Sequence, residues 1–156
     1  MAGSSKNSHG KVCSNRKAFR DYSIIQRFEA GVELRGTEVK SVKAGLVSLT
    51  GAFARVEGGE VILHSMTVQP YEQGNRFNHD PVRPRRLLLH KKEINALERD
   101  AEQKGFSIIP LSVYMKGALV KIELGLCRGR SRGDKRENMK RKTAEREAER
   151  AMARRR

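Results

Sequence analysis

A chain of 156 residues with a formal charge of +15 suits one domain with tails and points to a polyanionic partner, nucleic acid above all. No apolar run approaches the roughly 18 residues of a membrane span, and no apolar signal region opens the chain. The two cysteines, Cys13 and Cys127, have no CxxC spacing, which excludes a zinc set and reads as two free thiols in a reducing cytosol.

The charge is polarised. Residues 1–20 carry five Lys/Arg and no acid, residues 21–127 carry 15 bases and 13 acids, and residues 128–156 carry 13 bases and five acids. A nearly neutral body between two basic ends reads as a folded core with charged arms.

Residues 1–14 are rich in Gly, Ser, Asn and Lys and are expected to be a disordered basic arm. From Arg20 to Phe28 the pattern alternates. Tyr22, Ile24, Gln26 and Phe28 share one face of a strand, which Ala30, Val32 and Leu34 continue. Gly31 allows a bend or bulge. A short helix follows Gly36, with Thr37 as its cap, Val39 and Val42 on one face and Gly45 at its end.

Residues 46–56 read as a further strand region. Glu57-Gly58-Gly59-Glu60 signals a tight hairpin, because two glycines supply the positive φ angles of a two-residue turn. Val61 to Leu63 form the return strand. Residues 70–86 hold three of the four prolines and four arginines and read as an exposed loop. Within it, Tyr71 and Phe77 read as exposed aromatics and His79-Asp80 as a loop pair.

Leu87-Leu88-Leu89 leads into a helix near 90–104, with Ile94, Leu97 and Ala101 as its apolar stripe and Gly105 as its stop. Phe106 to Met115 and Ala118 to Cys127 are the strongest strands, joined at Lys116-Gly117. In the second, Val120, Ile122, Leu124 and Leu126 face one way and Lys121 the other. After a flexible basic linker, 128–133, Asp134 and Glu137 have capping-box spacing for a helix to about Ala153. Its apolar stripe is too thin to dock firmly, so the expected helix is conditional on a partner.

About six short strands with two or three helices fit a mainly β fold, a small OB-like antiparallel barrel with a basic C-terminal tail; a two-layer α+β sandwich is the alternative. The expected division is an arm over 1–14, a barrel over 15–127 and a tail over 128–156.

The four histidines are scattered, no Gly-x-Ser-x-Gly or phosphate loop occurs, and no metal or cofactor is expected. The chain therefore does not read as an enzyme. Thirteen bases in a 29-residue tail without an aromatic residue suit a phosphate backbone more than base stacking, against the alternative of a solvated charged helix. Tyr22 and Phe53 are either stacking or packing groups.

Asn15-Arg16-Lys17-Ala18, Asp21-Tyr22, Phe28-Glu29-Ala30-Gly31 and Gly36-Thr37-Glu38-Val39-Lys40-Ser41 resemble the opening of the SsrA-binding proteins, also called small protein B. The resemblance continues through Gly59-Glu60, Asp80-Pro81, Arg85 to Leu89, Lys121-Ile122 and Asp134-Lys135-Arg136. It implies an OB-like barrel that binds the tRNA-like part of transfer-messenger RNA and takes it to stalled ribosomes for trans-translation. Elongation factor Tu and alanine-charged RNA are indirect partners, and no membrane is involved. It also implies a tail that enters the empty messenger channel, disordered off the ribosome and helical on it.

Carried over by position, Glu29, Leu88 and Lys121 hold the RNA, and Asn15 and Tyr22 lie near that surface. Arg16, Lys17 and Lys40 stand in the matched basic motifs. Asp134, Lys135 and Arg136 match the tail motif needed on the ribosome, within a charged tail that includes Arg128, Arg130, Lys140, Arg141 and Lys142. Three positions depart from the family: Gly133 where His or Tyr is common, Arg20 where His is common, and Phe53 where Tyr is common. A ribosomal or ribosome-assembly protein that binds ribosomal RNA is the alternative.

Overall fold

The computed structural model describes residues 10–70, 80–130 and 132–154. In chain order its elements are β1 (Lys11–Ser14), α1 (Arg16–Asp21), β2 (Tyr22–Val32), α2 (Gly36–Lys43), β3 (Val47–Ser48), β4 (Phe53–Glu57) and β5 (Glu60–His64). Then come β6 (Thr67–Val68), β7 (Arg85–Leu88), α3 (Lys91–Lys104), β8 (Ser107–Lys116), β9 (Leu119–Gly129) and α4 (Arg132–Arg154).

Six antiparallel strands close into a ring in the order β8-β4-β5-β7-β2-β9, with β9 returning to β8. The chain is therefore mainly β and barrel-like, as the strand count predicts. Closure is uneven. β2 and β9 pair from Tyr22↔Gly129 to Gly31↔Lys121, whereas β4 meets β8 only at Ala54↔Ile108. Beyond that bridge β1 pairs with β8, at Lys11↔Tyr114 and Ser14↔Ser112.

The alternation read from the sequence places the core for β9 and for β2 from Phe28 onward. A bulge between Ile24 and Gln26 breaks the single face read for β2 and leaves Tyr22 and Ile24 on a second apolar cluster. Val120, Ile122, Leu124 and Leu126 of β9 point into the barrel with Phe28 and Ala30 of β2, Val61 and Leu63 of β5, and Leu97 of α3. Gly58 and Gly59 form the β4–β5 turn with φ of 58° and 79°, the double positive φ that their pairing predicts. Gly45 and Gly105 end α2 and α3 with φ of 78° and 65°.

Several expectations are corrected. Residues 11–14 of the supposed disordered arm form β1, because the β8 edge offers backbone partners that composition does not reveal. Helix α1 is an addition, making four helices among the described residues. Its amphipathic stripe is one turn long and too short to register as a period. It seats Ala18 on Ile109, Leu111 and Cys127, a second apolar cluster on the far face of the sheet.

Thr37 lies inside α2, and Glu38 takes over the capping by accepting a hydrogen bond from the Arg35 N–H at 2.9 Å. The last hairpin turns at Gly117-Ala118, since Lys116 already pairs with Leu119. The exposed loop stops short of Arg85 and Arg86, which belong to β7. Arg128 and Gly129 are still in β9, paired with Ser23 and Tyr22. The helical backbone of α4 begins at Arg132, so Asp134 is within the helix and not at its cap.

Arg85 shows why its loop reading failed. Both it and Glu38 are 0 % exposed, and Arg85 Nε donates to Glu38 Oε2 at 2.7 Å. Arg83 Nε donates to the other oxygen at 3.1 Å, and Arg85 also reaches the Met66 and Pro81 carbonyls. One buried ion pair thus joins the start of α2, the residue before β6 and the strand β7. A charge is buried this fully only when paired and hydrogen-bonded on every side.

Candidate nucleic-acid interface

The outer face of the barrel carries a row of residues set by strand register. Gly31 of β2 stands opposite Leu88 of β7 and opposite Lys121 of β9. Lys121 in turn faces Tyr114 of β8, and Tyr114 faces Lys11 of β1. Leu88 is 48 % exposed while Leu87 is 2 % exposed, the two sides of one extended strand. A Cβ on Gly31 would stand 3.3 Å from Leu88 Cβ and 3.7 Å from Lys121 Nζ. The glycine therefore leaves a notch into which an apolar and a cationic side chain both lean.

Glu29 sits one pleat away on the same face, opposite Glu123. Two carboxylates directly across a pair repel, and each is drawn aside. Glu123 accepts from Arg27 at 2.9 Å and from Ser112 at 3.2 Å. Glu29 accepts from the Tyr114 hydroxyl at 2.5 Å and from Lys116 Nζ at 3.2 Å. The Tyr114 hydrogen bond, followed by Lys116 and Lys121, holds the Glu29 carboxyl below the usual carboxylate range. Burial and the acceptor Glu29 push the Tyr114 phenol upward. The face thus offers a fixed acceptor, a cation and an apolar side chain together, a set suited to RNA base edges, ribose hydroxyls and phosphates.

The remaining candidates fall elsewhere. Tyr22 begins β2, seven residues before Glu29 and hence roughly 20 Å along the strand. With Lys17, Asp21, Phe53, Arg55 and Phe106 it lines a groove of about 550 Å³ beside the thin β4–β8 seam. Arg55 lies over the Phe53 ring at 5.0 Å and His64 stacks on it at 5.3 Å. Phe53 is thus half-buried in a stack of its own.

Asn15 is at the groove edge but committed to the fold. Its Oδ1 caps α1 at the Ala18 N–H, 3.2 Å away, and its Nδ2 donates to the Pro110 carbonyl at 2.9 Å. Arg16 and Lys17 are exposed on α1, and Lys40 is exposed on the last turn of α2. The eight RNA-binding candidates therefore form one close group, Glu29, Leu88 and Lys121, and a set distributed around it.

Of the tail candidates, Arg130 is tied to the barrel: its N–H donates to the Asp21 carbonyl at 3.0 Å and its Nε to the Tyr22 carbonyl at 3.2 Å. Arg128 is exposed at the end of β9. Asp134 and Lys135 lie in the α4 backbone, and Arg136, Lys140, Arg141 and Lys142 are exposed along it. Tyr71, Phe77 and His79 lie outside the described residues.

Sequence reasoning missed Tyr114 and Lys116. Both lie in the β8 hairpin arm, where alternation with Val113 and Met115 is the one signal that could set them on a common face, and no local signal joins them to Glu29 on a strand 85 residues away in sequence. Among the described residues no group of three or more His, Cys, Asp or Glu side chains is arranged to hold a metal, and no helix is long and apolar enough to cross a membrane.

The family model "SmpB protein" matches residues 12–154. An SsrA-binding protein of Bacillus subtilis (strain 168) is 54 % identical over 144 residues, covering 92 % of each chain. One from Carboxydothermus hydrogenoformans is 52 % identical over 141 residues, covering 90 % of this chain and 95 % of its own. A chain of the solved structure "tmRNA-SmpB: a journey to the center of the bacterial ribosome" superposes with a TM-score of 0.66 at 46 % identity, covering 80 % of this chain and 92 % of that one.

Proposed function

Because the chain belongs to the SmpB family, we propose that it is an RNA-binding adaptor for ribosome rescue. It binds transfer-messenger RNA, also called SsrA RNA, and delivers it to stalled ribosomes for trans-translation. The observation that carries this reading on the chain itself is the Leu88–Gly31–Lys121 row with Glu29 fixed beside it. Lys121 supplies the cation for a phosphate, Glu29 accepts from base amino groups or ribose hydroxyls, and Leu88 covers an apolar base or sugar face.

The tail has a different task. The described side chains of α4 are exposed, with bases at Arg136, Lys140, Arg141, Lys142, Arg146, Arg150 and Arg154. Such a helix reads charge and shape and not base identity, which suits an empty messenger channel of the ribosome. Elongation factor Tu meets the complex through the alanine-charged RNA and not through this chain. The work is done in the cytoplasm and without a chemical step by the protein.

The test is recovery of RNA with the tagged protein, followed by gel shifts against transfer-messenger RNA at several salt concentrations. One small stable RNA with a tRNA-like end is the expected product. Ribosomal RNA alone would point to a ribosomal or assembly protein instead. Lys121→Ala and Glu29→Ala are expected to weaken the shift while leaving the melting temperature unchanged.

A further inference from the structure

We propose that Tyr114 is a positioning residue for RNA recognition, its hydroxyl and Lys116 holding the Glu29 carboxylate in the one orientation that meets the RNA. The inference rests on the RNA-binding reading above and adds to it a residue and a task.

A glutamate on an exposed strand position is free to sample several rotamers, and ordering it only on binding weakens the complex. Glu29 is 45 % exposed, yet both its oxygens are engaged. Oε2 takes the Tyr114 hydroxyl and Oε1 takes Lys116 Nζ. Neither donor is on a neighbouring strand: Tyr114 and Lys116 belong to β8, and β9 lies between β8 and β2. The contact therefore spans β9, where Lys121 faces Tyr114 and Glu123 faces Glu29. Lys121 adds its charge to those that lower the Glu29 pKa, and the Glu123 carboxylate opposite is itself engaged by Arg27 and Ser112.

The carboxylate is not used up by this arrangement. Its two oxygens have about four lone-pair sites, of which Tyr114 and Lys116 occupy two. The others remain for donors on the RNA. A charge-assisted hydrogen bond from a phenol is short and directional, so Tyr114 fixes the direction in which those sites point. Lys116 contributes charge but, as a flexible ammonium, less direction.

The test compares wild type, Tyr114→Phe, Glu29→Ala and the double variant in binding to transfer-messenger RNA. Tyr114→Phe removes one oxygen and is expected to weaken binding about tenfold, the scale of one hydrogen bond to a charged group, with an unchanged melting temperature. Because Tyr114 acts through Glu29, the double variant is expected to bind no more weakly than Glu29→Ala. In the RNA-free protein the Glu29 carboxyl, followed by NMR, is expected to titrate at higher pH in Tyr114→Phe than in wild type.

Additive losses in the double variant, wild-type binding by Tyr114→Phe, or an unmoved Glu29 titration would each overturn the proposal. A wild-type chain that ignores transfer-messenger RNA overturns the functional reading itself, whereas tight wild-type binding with additive losses overturns only the role of Tyr114.

Discussion

Adjacent residues in this chain lie in opposite environments, and burial separates them. Leu87 is in the barrel core and Leu88 on its outer face. Leu87→Ala is expected to cost about 2–5 kcal/mol of stability, measured by urea unfolding. Leu88→Ala is expected to stay within about 0.5 kcal/mol of wild type in the same assay but to weaken the RNA gel shift.

Glu38 is the sharpest case of a structural charge. Burial acts to raise its pKa, but hydrogen bonds from Arg83, the Arg35 N–H and Arg85 outweigh it and hold the carboxyl below its ordinary value of 4.5. Its folded pKa is thus lower than its unfolded one. The stability it supplies is complete above pH 4.5 and is lost as pH falls through the lowered folded value. Glu38→Ala leaves Arg85 buried without its partner and is expected to cost about 3–5 kcal/mol. The stability gap between wild type and Glu38→Gln is expected to narrow as pH drops below 4.5, followed by denaturant titrations at several pH values.

Among the elements, β2 is the one that joins the core to the candidate interface. Its inward residues Phe28 and Ala30 belong to the core, while Glu29 and Gly31 face outward between β7 and β9. Gly31→Ala would press a methyl group against Leu88 at 3.3 Å and Lys121 at 3.7 Å. The Lys121 ammonium can swing away, whereas Leu88 Cβ moves only with its backbone, so β7 has to give by a few tenths of an ångström. The expected result is a severalfold weaker gel shift with little change in melting temperature. A large melting shift would instead make Gly31 a packing residue. The hairpin β4–β5, the stop signals of α2 and α3 and the long hairpin β8–β9 were all legible, because each depends on neighbours within one turn or one strand. Helix α1 and strand β1 were not, since the first is one short turn and a half and the second exists only through the β8 edge.

On the scale of the whole molecule, the separation of charge read from the sequence maps onto two parts of the structure, the barrel and helix α4. The barrel has its own closed ring and core, and the described side chains of α4 lie exposed beyond it. Removal of residues 132–156 is therefore expected to leave the melting temperature and the transfer-messenger RNA shift largely intact. Activity in tagging stalled peptides is expected to be lost. Loss of RNA binding and tagging together, at equal RNA concentration, would reject this division. Removing so many bases is also expected to flatten the salt dependence of ribosome association, because fewer counterions are released on binding.

By itself the sequence determined a basic, mainly β, barrel-like chain with a charged helical tail. It also set Glu29, Leu88 and Lys121 apart as RNA-binding candidates through motifs that resemble those of the SsrA-binding proteins. Periodicity, glycine turns and charge runs are local, and local patterns survive in one dimension. Tertiary structure alone decided that Arg85 is buried on Glu38, that the Asn15 amide is spent on holding Pro110, and that Tyr114 reaches Glu29. Each of these joins residues far apart in the chain. Side chains of the same type read alike until strand register shows which of them meet.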